Sequence, residues 1–125
     1  MSDDLAAFLT ARLNEREAVA NLAASKGAVW MQEDAARFPG RITAKNGPVV
    51  YDEGAPDEHQ AAHIVLHDPA RVLREVEADR KLLACWHEQD SRRSNSAEDE
   101  ARAWLLDSLL ADRAAVWSDH PDWRP

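Results

Sequence analysis

Apolar side chains in the first part of the chain recur at the spacing of one helix face. At 100° per residue, several of them fall within about a third of a turn: Leu5, Leu9, Leu13, Ala20 and Ala24. The pattern predicts an α-helix that begins at Asp3 or Asp4, because an aspartate accepts hydrogen bonds from the free N–H groups of a helix N-terminus and complements its positive pole. Gly27 is expected to end this helix.

Two arginines interrupt this apolar stripe. Arg16 lies inside the stripe and Arg12 lies at its edge. One interpretation is that their aliphatic stems cover apolar surface while the guanidinium groups reach solvent at the rim. The other interpretation is that the two arginines reach a carboxylate on another helix or on another chain.

The hydrophobic period changes after this helix. Three short apolar runs follow, Val29–Met31, Ile42–Lys45 and Val49–Tyr51. Asn46-Gly47 between the last two runs predicts a hairpin, because both positions of such a turn require positive φ. Pro48 has no N–H to donate, so its strand is expected at a sheet edge or to start one residue late. The segment therefore predicts two or three short antiparallel strands, followed by an acidic turn over residues 52–58.

The rest of the chain has the pattern of helices. A short helix is expected from about Asp57 to Leu66, and a long helix with Asp68 as its N-cap and Pro69 as its first residue. One face of that long helix carries Val72, Val76, Leu83 and Trp86, with Asp79 among them. The polar segment 91–96 is the predicted flexible linker, and Asn95 or Ser96 is the expected cap of the last helix.

The apolar residues of the last helix spread over nearly half of its circumference. They are Leu105, Leu106, Leu109, Leu110, Val116 and Trp117. This apolar arc is wider than a helix needs in order to pack on a single neighbouring element. Residues 119–125 follow as an aromatic tail. The predicted fold is therefore α+β and mainly helical, with an N-terminal helix, a small antiparallel hairpin sheet, and one short and two long helices in a single domain over residues 1–125.

Composition and charge exclude several classes of function. Fifteen Lys and Arg against 23 Asp and Glu give a net charge of −8, so direct binding to nucleic acid is not expected. No apolar run approaches the roughly 18 residues of a membrane span, and the first residues do not resemble a basic signal-peptide start. Cys85 is the only cysteine, which excludes an intrachain disulfide and favours a cytoplasmic location.

His59, His63 and His67 are spaced four residues apart and are the candidate metal ligands. Imidazoles at i and i+4 share a helix face, so His63 and His67 suggest a zinc-binding domain as an alternative function. His120, Cys85 or His87 is a further possible ligand. Asp68-Pro69 is expected to break the helix after His67, however, and Gln60 stands where a metalloprotease has its glutamate. The main expectation is therefore that no metal or other cofactor is bound, that His63 packs against the hairpin, and that His67 holds the helix junction by hydrogen bonding.

No reactive constellation is evident in the sequence. Cys85 and His87 are two residues apart, and on a helix they point about 200° apart, so they do not form a thiol–imidazole dyad. The four glycines are scattered singly, without a phosphate-binding loop, and there is no GxSxG motif. We therefore do not expect an enzyme.

Three stretches of the chain carry a resemblance to a known family. They are residues 4–15 (DLAAFLTARLNE), 63–78 (HIVLHDPARVLREVEA) and 118–125 (SDHPDWRP). In this order they resemble a family of small uncharacterised proteins of high-GC Gram-positive bacteria and their phages, with a central HIxxHDPARVLxEVEA motif and a DHPDW-type C-terminal signature. Since the family is a domain of unknown function, the resemblance implies a phage or mobile-element context and no particular activity.

The tryptophans and arginines near the C-terminus are the best functional signal. Tryptophan next to arginine is typical of the residues that dominate protein interfaces. The sequence therefore predicts a non-catalytic interaction or regulatory module that binds a protein partner or a second copy through Leu106, Leu110, Arg113, Trp117, Trp123 and Arg124. Besides the zinc-binding alternative, two others stay open: the tail folds back onto its own domain, or the acidic chain mimics DNA and inhibits a DNA-binding protein.

Overall fold

The structure is a computed structural model that describes residues 3–51 and 56–124. Within these ranges the helices are α1 (Asp3–Ala23), α2 (Glu58–Leu66), α3 (Pro69–Ser91) and α4 (Ala97–Ala115), and the strands are β1 (Met31–Gln32), β2 (Ile42–Ala44) and β3 (Gly47–Val50). A short 3-10 helix, Ala24–Lys26, continues α1. The mainly helical α+β prediction is confirmed. Residues 52–55 of the expected acidic turn lie outside the described part of the chain.

The chain forms two compact units. One unit is Arg16–Glu75, and the other combines Met1–Glu15 with Val76–Pro125. The first contains the three strands and α2, and the second contains α4 and the C-terminal segment. The single domain expected for residues 1–125 stays a prediction.

The strands of the first unit form an antiparallel sheet in the order β1-β2-β3. Pro48 lies in β3, which is an edge strand, as its missing N–H requires. The hairpin turn differs from the prediction by one residue. Gly47 pairs with Ala44, so the turn residues are Lys45 and Asn46, and positive φ (145°) occurs at Gly47 instead of at both Asn46 and Gly47. A register shift between Ile42 and Thr43 accompanies this pairing.

Helix starts in the first unit follow the capping residues of the sequence. Asp57 accepts a hydrogen bond from the Gln60 N–H, and the Gln60 side chain accepts one from the Asp57 N–H, which completes a capping box at the start of α2. Asp68 is buried, and its Oδ1 accepts a hydrogen bond from Arg71 N (2.9 Å) in the first turn of α3. Its Oδ2 accepts a second bond from Trp30 N (3.0 Å). The same carboxylate therefore caps α3 and holds the segment that leads into β1.

Arg16 pairs with a carboxylate on another helix, as the second interpretation of the arginines predicted. Arg16 Nη2 lies 2.6 Å from Glu75 Oε2, and Arg71 Nε donates to Glu75 Oε1 (3.0 Å). The hydrogen bond from Arg16 holds the pKa of the Glu75 carboxyl below its ordinary value of 4.5, although partial burial acts in the opposite direction; Arg71 adds to the lowering. Glu75 is therefore a charged group that stabilises the folded chain.

We expect Glu75→Gln to lower the free energy of unfolding at pH 7 by about 1–2 kcal/mol, because charge-assisted hydrogen bonds from two arginines are lost. Since folding lowers the pKa of Glu75, its contribution is complete above pH 4.5 and is lost as the pH falls through the lower, folded-state pKa. The cost of the substitution should therefore shrink in acid. Urea unfolding at a series of pH values measures this, with Glu77→Gln, an exposed pair with Lys81, as the control. A penalty that stays constant at every pH would contradict the assignment.

The second unit is built around buried aliphatic side chains and the buried indole of Trp86. Leu9, Leu13, Val76 and Leu110 are among the largest fully buried side chains. The buried Trp86 indole donates to Asp107 Oδ1 (2.7 Å). The predicted apolar face of α3 is confirmed at Val76, Leu83 and Trp86, which are all buried.

Side-chain hydrogen bonds connect the segment 91–96, which joins α3 to α4, to the first turn of α4. Ser96 caps α4, because its side chain accepts a bond from Asp99 N (3.1 Å). Ser94 N donates to Asp99 Oδ2 (3.1 Å), and the hydrogen bond from the Ser94 hydroxyl holds the pKa of the Asp99 carboxyl below its ordinary value. The cap prediction is confirmed at Ser96, whereas the predicted flexibility of this segment stays a prediction.

Candidate functional site

Helix α4 has a buried side that belongs to the core of its unit. Ala103, Leu110 and Ala114 are buried there, and Leu110 is 0% exposed. Leu110 was expected at the interface, but its side chain is not available to a partner. The physical reason is its place on the helix: seven and four residues separate it from Ala103 and Ala114, which puts all three on one side.

Two polar contacts fix the orientation of α4. Asp107 accepts the hydrogen bond from the Trp86 indole (2.7 Å), as described above. Arg113 donates from Nε and Nη2 to the two oxygens of Asp79 (2.9 and 2.8 Å), and the Asp79 side chain is buried. Arg113, expected at an interface, is therefore occupied within its own unit by a bidentate ion pair.

The opposite side of α4 exposes large apolar side chains. Trp104 is 71% exposed, Leu105 is 53% exposed and Leu109 is 42% exposed. Val116, directly after the helix, is also exposed. We call Trp104, Leu105, Leu109 and Val116 the exposed face of α4. The two leucines and Val116 belong to the apolar arc predicted from the sequence, but they are not among the predicted interface residues. The spacing of Ala103, Leu110 and Ala114, all small or buried on one side, is the signal that separates the two sides of the helix.

A groove lies beside the exposed face. Its volume is about 330 Å³, and its lining residues are Cys85, Glu88, Gln89, Arg92, Arg102, Leu105 and Leu106. Leu106, one of the predicted interface residues, is half-buried in its wall. Cys85 is exposed. The groove therefore joins the apolar side chains of α4 to the polar last turns of α3.

The aromatic tail packs on α1. The Trp123 ring contacts the Phe8 ring edge-on, with centroids 5.5 Å apart. Arg12 is buried and donates from Nη1 to His120 Nδ1 (2.7 Å), and its Nε lies 3.0 Å from Glu15 Oε2. The alternative in which the tail folds back is thus the arrangement seen for Trp123.

The two remaining interface candidates also lie close to their own unit. Trp117 is half-buried, and its backbone N–H donates to the backbone oxygen of Ala114 (3.0 Å). Arg124 is exposed, but its guanidinium donates to the carbonyl oxygens of Pro121 and Trp123 (both 2.8 Å). The interface predicted at Trp117 and Arg124 stays a prediction.

The candidate metal ligands do not assemble into a larger cluster. The rings of His63 and His67 are adjacent, with centroids 4.4 Å apart, and both residues are exposed. His67 Nδ1 lies 2.8 Å from His63 O, which satisfies a carbonyl in the last turn of α2. His120 contacts Arg12 instead. Among residues 3–51 and 56–124, no group of three or more His, Cys, Asp or Glu side chains is placed to hold a metal ion.

The fold and this surface define a small, mainly helical α+β protein with an anchored helix that exposes apolar side chains. None of the helices described is long and apolar enough to cross a membrane. The chain belongs to a family of unknown function (DUF6221), whose sequence profile matches residues 2–125. No match to the chain was found among curated proteins or among solved structures.

Proposed function

We propose that this protein is a non-catalytic protein–protein interaction module and that the exposed face of α4 is its contact surface. The observation that carries the proposal is the exposure of Leu105 and Leu109, next to Trp104, on a helix whose other side is buried. Grouped large apolar side chains on a protein surface are typical of sites that bind another protein. Tryptophan in such a group is a frequent source of binding energy.

The anchoring of α4 supports this function. The bonds of Asp107 to Trp86 and of Arg113 to Asp79 hold the helix on its own unit. A surface that is already ordered before binding loses less conformational entropy when a partner binds. The exposed face is therefore preorganised for association.

The proposal includes a cytoplasmic location and a phage or mobile-element origin. The single cysteine supports the location, because a reducing compartment needs no disulfides. The origin is supported by the three motifs that resemble the family. The absence of catalysis is supported by the positions of Cys85 and His87, which are two residues apart on α3 and so point to different sides of the helix.

The test is a pair of matched double substitutions. Leu105→Asp with Leu109→Asp places two carboxylates on the exposed face of α4, and Val19→Asp with Leu22→Asp does the same at exposed positions of α1. We expect the first variant to abolish any complex of the native chain and the second to leave it intact, because burying an unpaired carboxylate in an interface is costly. Native mass by light scattering, and quantitative capture from a host lysate, measure the complex.

Circular dichroism of both variants controls for folding, since all four positions are exposed. Equal loss of the complex in the two variants, or no loss in either, contradicts the proposal. The proposal is also contradicted if the native chain is monomeric and captures no protein whose binding requires Leu105 and Leu109.

A further inference from the structure

A second pattern runs along the exposed side of α4. Six positions are spaced by four, three, four, three and four residues: Glu98, Arg102, Leu105, Leu109, Asp112 and Val116. All six are exposed. Val116 keeps right-handed helical dihedrals (φ −56°, ψ −28°), so the helical geometry extends to the end of the pattern. We call these six residues the α4 stripe.

The spacing of the α4 stripe is that of the contact positions of a coiled coil. Alternating steps of three and four residues place side chains along one seam, where they meet the same seam of another helix. The buried side of α4, with Ala103 and Leu110, lies at other positions of this repeat. The stripe is therefore available to a second helix while α4 remains packed in its unit.

We propose that the α4 stripe binds the α4 stripe of a second copy of this chain in an antiparallel arrangement; this inference rests on the proposed function and identifies its partner. Facing residues in such a pair have the same mean position, 107. Leu105 then faces Leu109 of the other copy, and Arg102 faces Asp112 of the other copy. Two-fold symmetry forms each of these contacts twice.

The charges select the antiparallel arrangement. In a parallel pair, each residue of the stripe faces its own counterpart, so Arg102 meets arginine and Asp112 meets aspartate. Like charges that face each other across an interface oppose association, whereas opposite charges fix the register. Only the antiparallel pair centred on position 107 combines the leucine contacts with two attractive charge pairs.

Arg102 is free to exchange its present partners for this contact. Its guanidinium lies 3.4 Å from Asp99 and 3.7 Å from Glu98, and its side chain is 62% exposed. Long, exposed ion pairs within a helix contribute little to stability, so their replacement costs little. The net charge of −8 makes two copies repel, and the Arg102 pairs with Asp112 supply local attraction at the place of contact.

Charge exchange at positions 102 and 112 tests the inference. Arg102→Asp gives acidic residues at both positions, and Asp112→Arg gives arginine at both, so each single variant converts two attractive pairs into two repulsive ones. We expect the dimer dissociation constant to rise about tenfold or more in each single variant, because two pairs change sign. The double variant should return to within about threefold of the native value, since the attractive pairs are restored with exchanged positions.

A mixture of the two single variants provides the sharpest readout. Each Arg102→Asp chain carries two acids that match the two arginines of an Asp112→Arg chain. We therefore expect the mixture to form a heterodimer tighter than either variant alone, measured by sedimentation velocity over a concentration series. Arg74→Asp and Glu77→Arg, at exposed positions of α3, control for the two changes of net charge.

The outcomes separate this inference from the proposed function. If the chain stays monomeric throughout the concentration series, the pairing of two copies is overturned. The proposed function is then decided by whether the chain captures a protein whose binding requires Leu105 and Leu109. A dimer that is lost in Leu105→Asp with Leu109→Asp, but whose dissociation constant does not change on charge exchange at positions 102 and 112, overturns the antiparallel register alone. A dimer that survives all of these substitutions overturns both.

Discussion

Leu110→Ala should lower the free energy of unfolding by about 2–5 kcal/mol, the range for truncation of a fully buried leucine. Leu110 is 0% exposed on the buried side of α4, so the substitution removes apolar contacts and leaves a cavity. The neighbouring Leu109 is 42% exposed, and Leu109→Ala should cost less than about 1 kcal/mol. Urea unfolding at one fixed protein concentration, followed by circular dichroism, measures both values.

The Leu109 and Leu110 pair controls for helix propensity, because the same truncation is made at adjacent positions of one helix. Leu110→Met, which keeps most of the volume, should cost less than about 1.5 kcal/mol. Similar losses for Leu109→Ala and Leu110→Ala would show that the two sides of α4 are assigned incorrectly. If Leu110→Ala weakens association but leaves the free energy of unfolding unchanged, Leu110 belongs to the interface.

Arg113→Ala should lower the free energy of unfolding by about 2–4 kcal/mol, because it leaves the buried Asp79 carboxylate without its bidentate partner. The expected loss is smaller than for a fully enclosed pair, since the Arg113 side chain is 40% exposed and water can reach the vacated position. Arg102→Ala is the matched control on the same helix, and its exposed pairs should contribute less than about 0.5 kcal/mol.

A double-mutant cycle separates the pair from the loss of either side chain. Arg113→Leu combined with Asp79→Leu removes both charges, so we expect it to recover much of the stability that Arg113→Leu alone loses. Denaturant unfolding measures all three variants. If Arg113→Ala weakens association but leaves the unfolding free energy unchanged, Arg113 belongs to an interface as the sequence suggested, and its pairing with Asp79 contributes little.

Local signals in the sequence predicted the helix boundaries well. Asp57, Asp68 and Ser96 each cap a helix because a side-chain oxygen and an N–H three residues later lie close together in any chain that starts a helix there. Pro48 likewise lies in an edge strand, because proline has no backbone N–H to donate to a neighbouring strand. The predicted position of the hairpin turn was wrong by one residue. Asn46 and Gly47 were expected in the turn, but Gly47 pairs with Ala44, so the turn residues are Lys45 and Asn46.

Contacts between distant residues could not be predicted in the same way. Arg113 and Asp79 are separated by 34 positions, and Arg12 and His120 by 108, so no local pattern connects them. The two sides of α4 were also ambiguous, because Leu109 and Leu110 differ by only 100° within a broad apolar arc. Which leucine is buried depends on where α4 packs, and that is decided by its whole unit.

The position of Asp68 links two parts of the chain that are far apart in sequence. The Asp68 carboxylate accepts hydrogen bonds from the backbone N–H groups of Trp30 and Arg71. Nearby, Ala70 N donates to Ala28 O (2.9 Å). When either partner separates, a buried negative group loses half of its hydrogen bonds, and this raises the cost of separating only one of them. We therefore expect the entry to the sheet and the first turn of α3 to open and close together, as a single cooperative element.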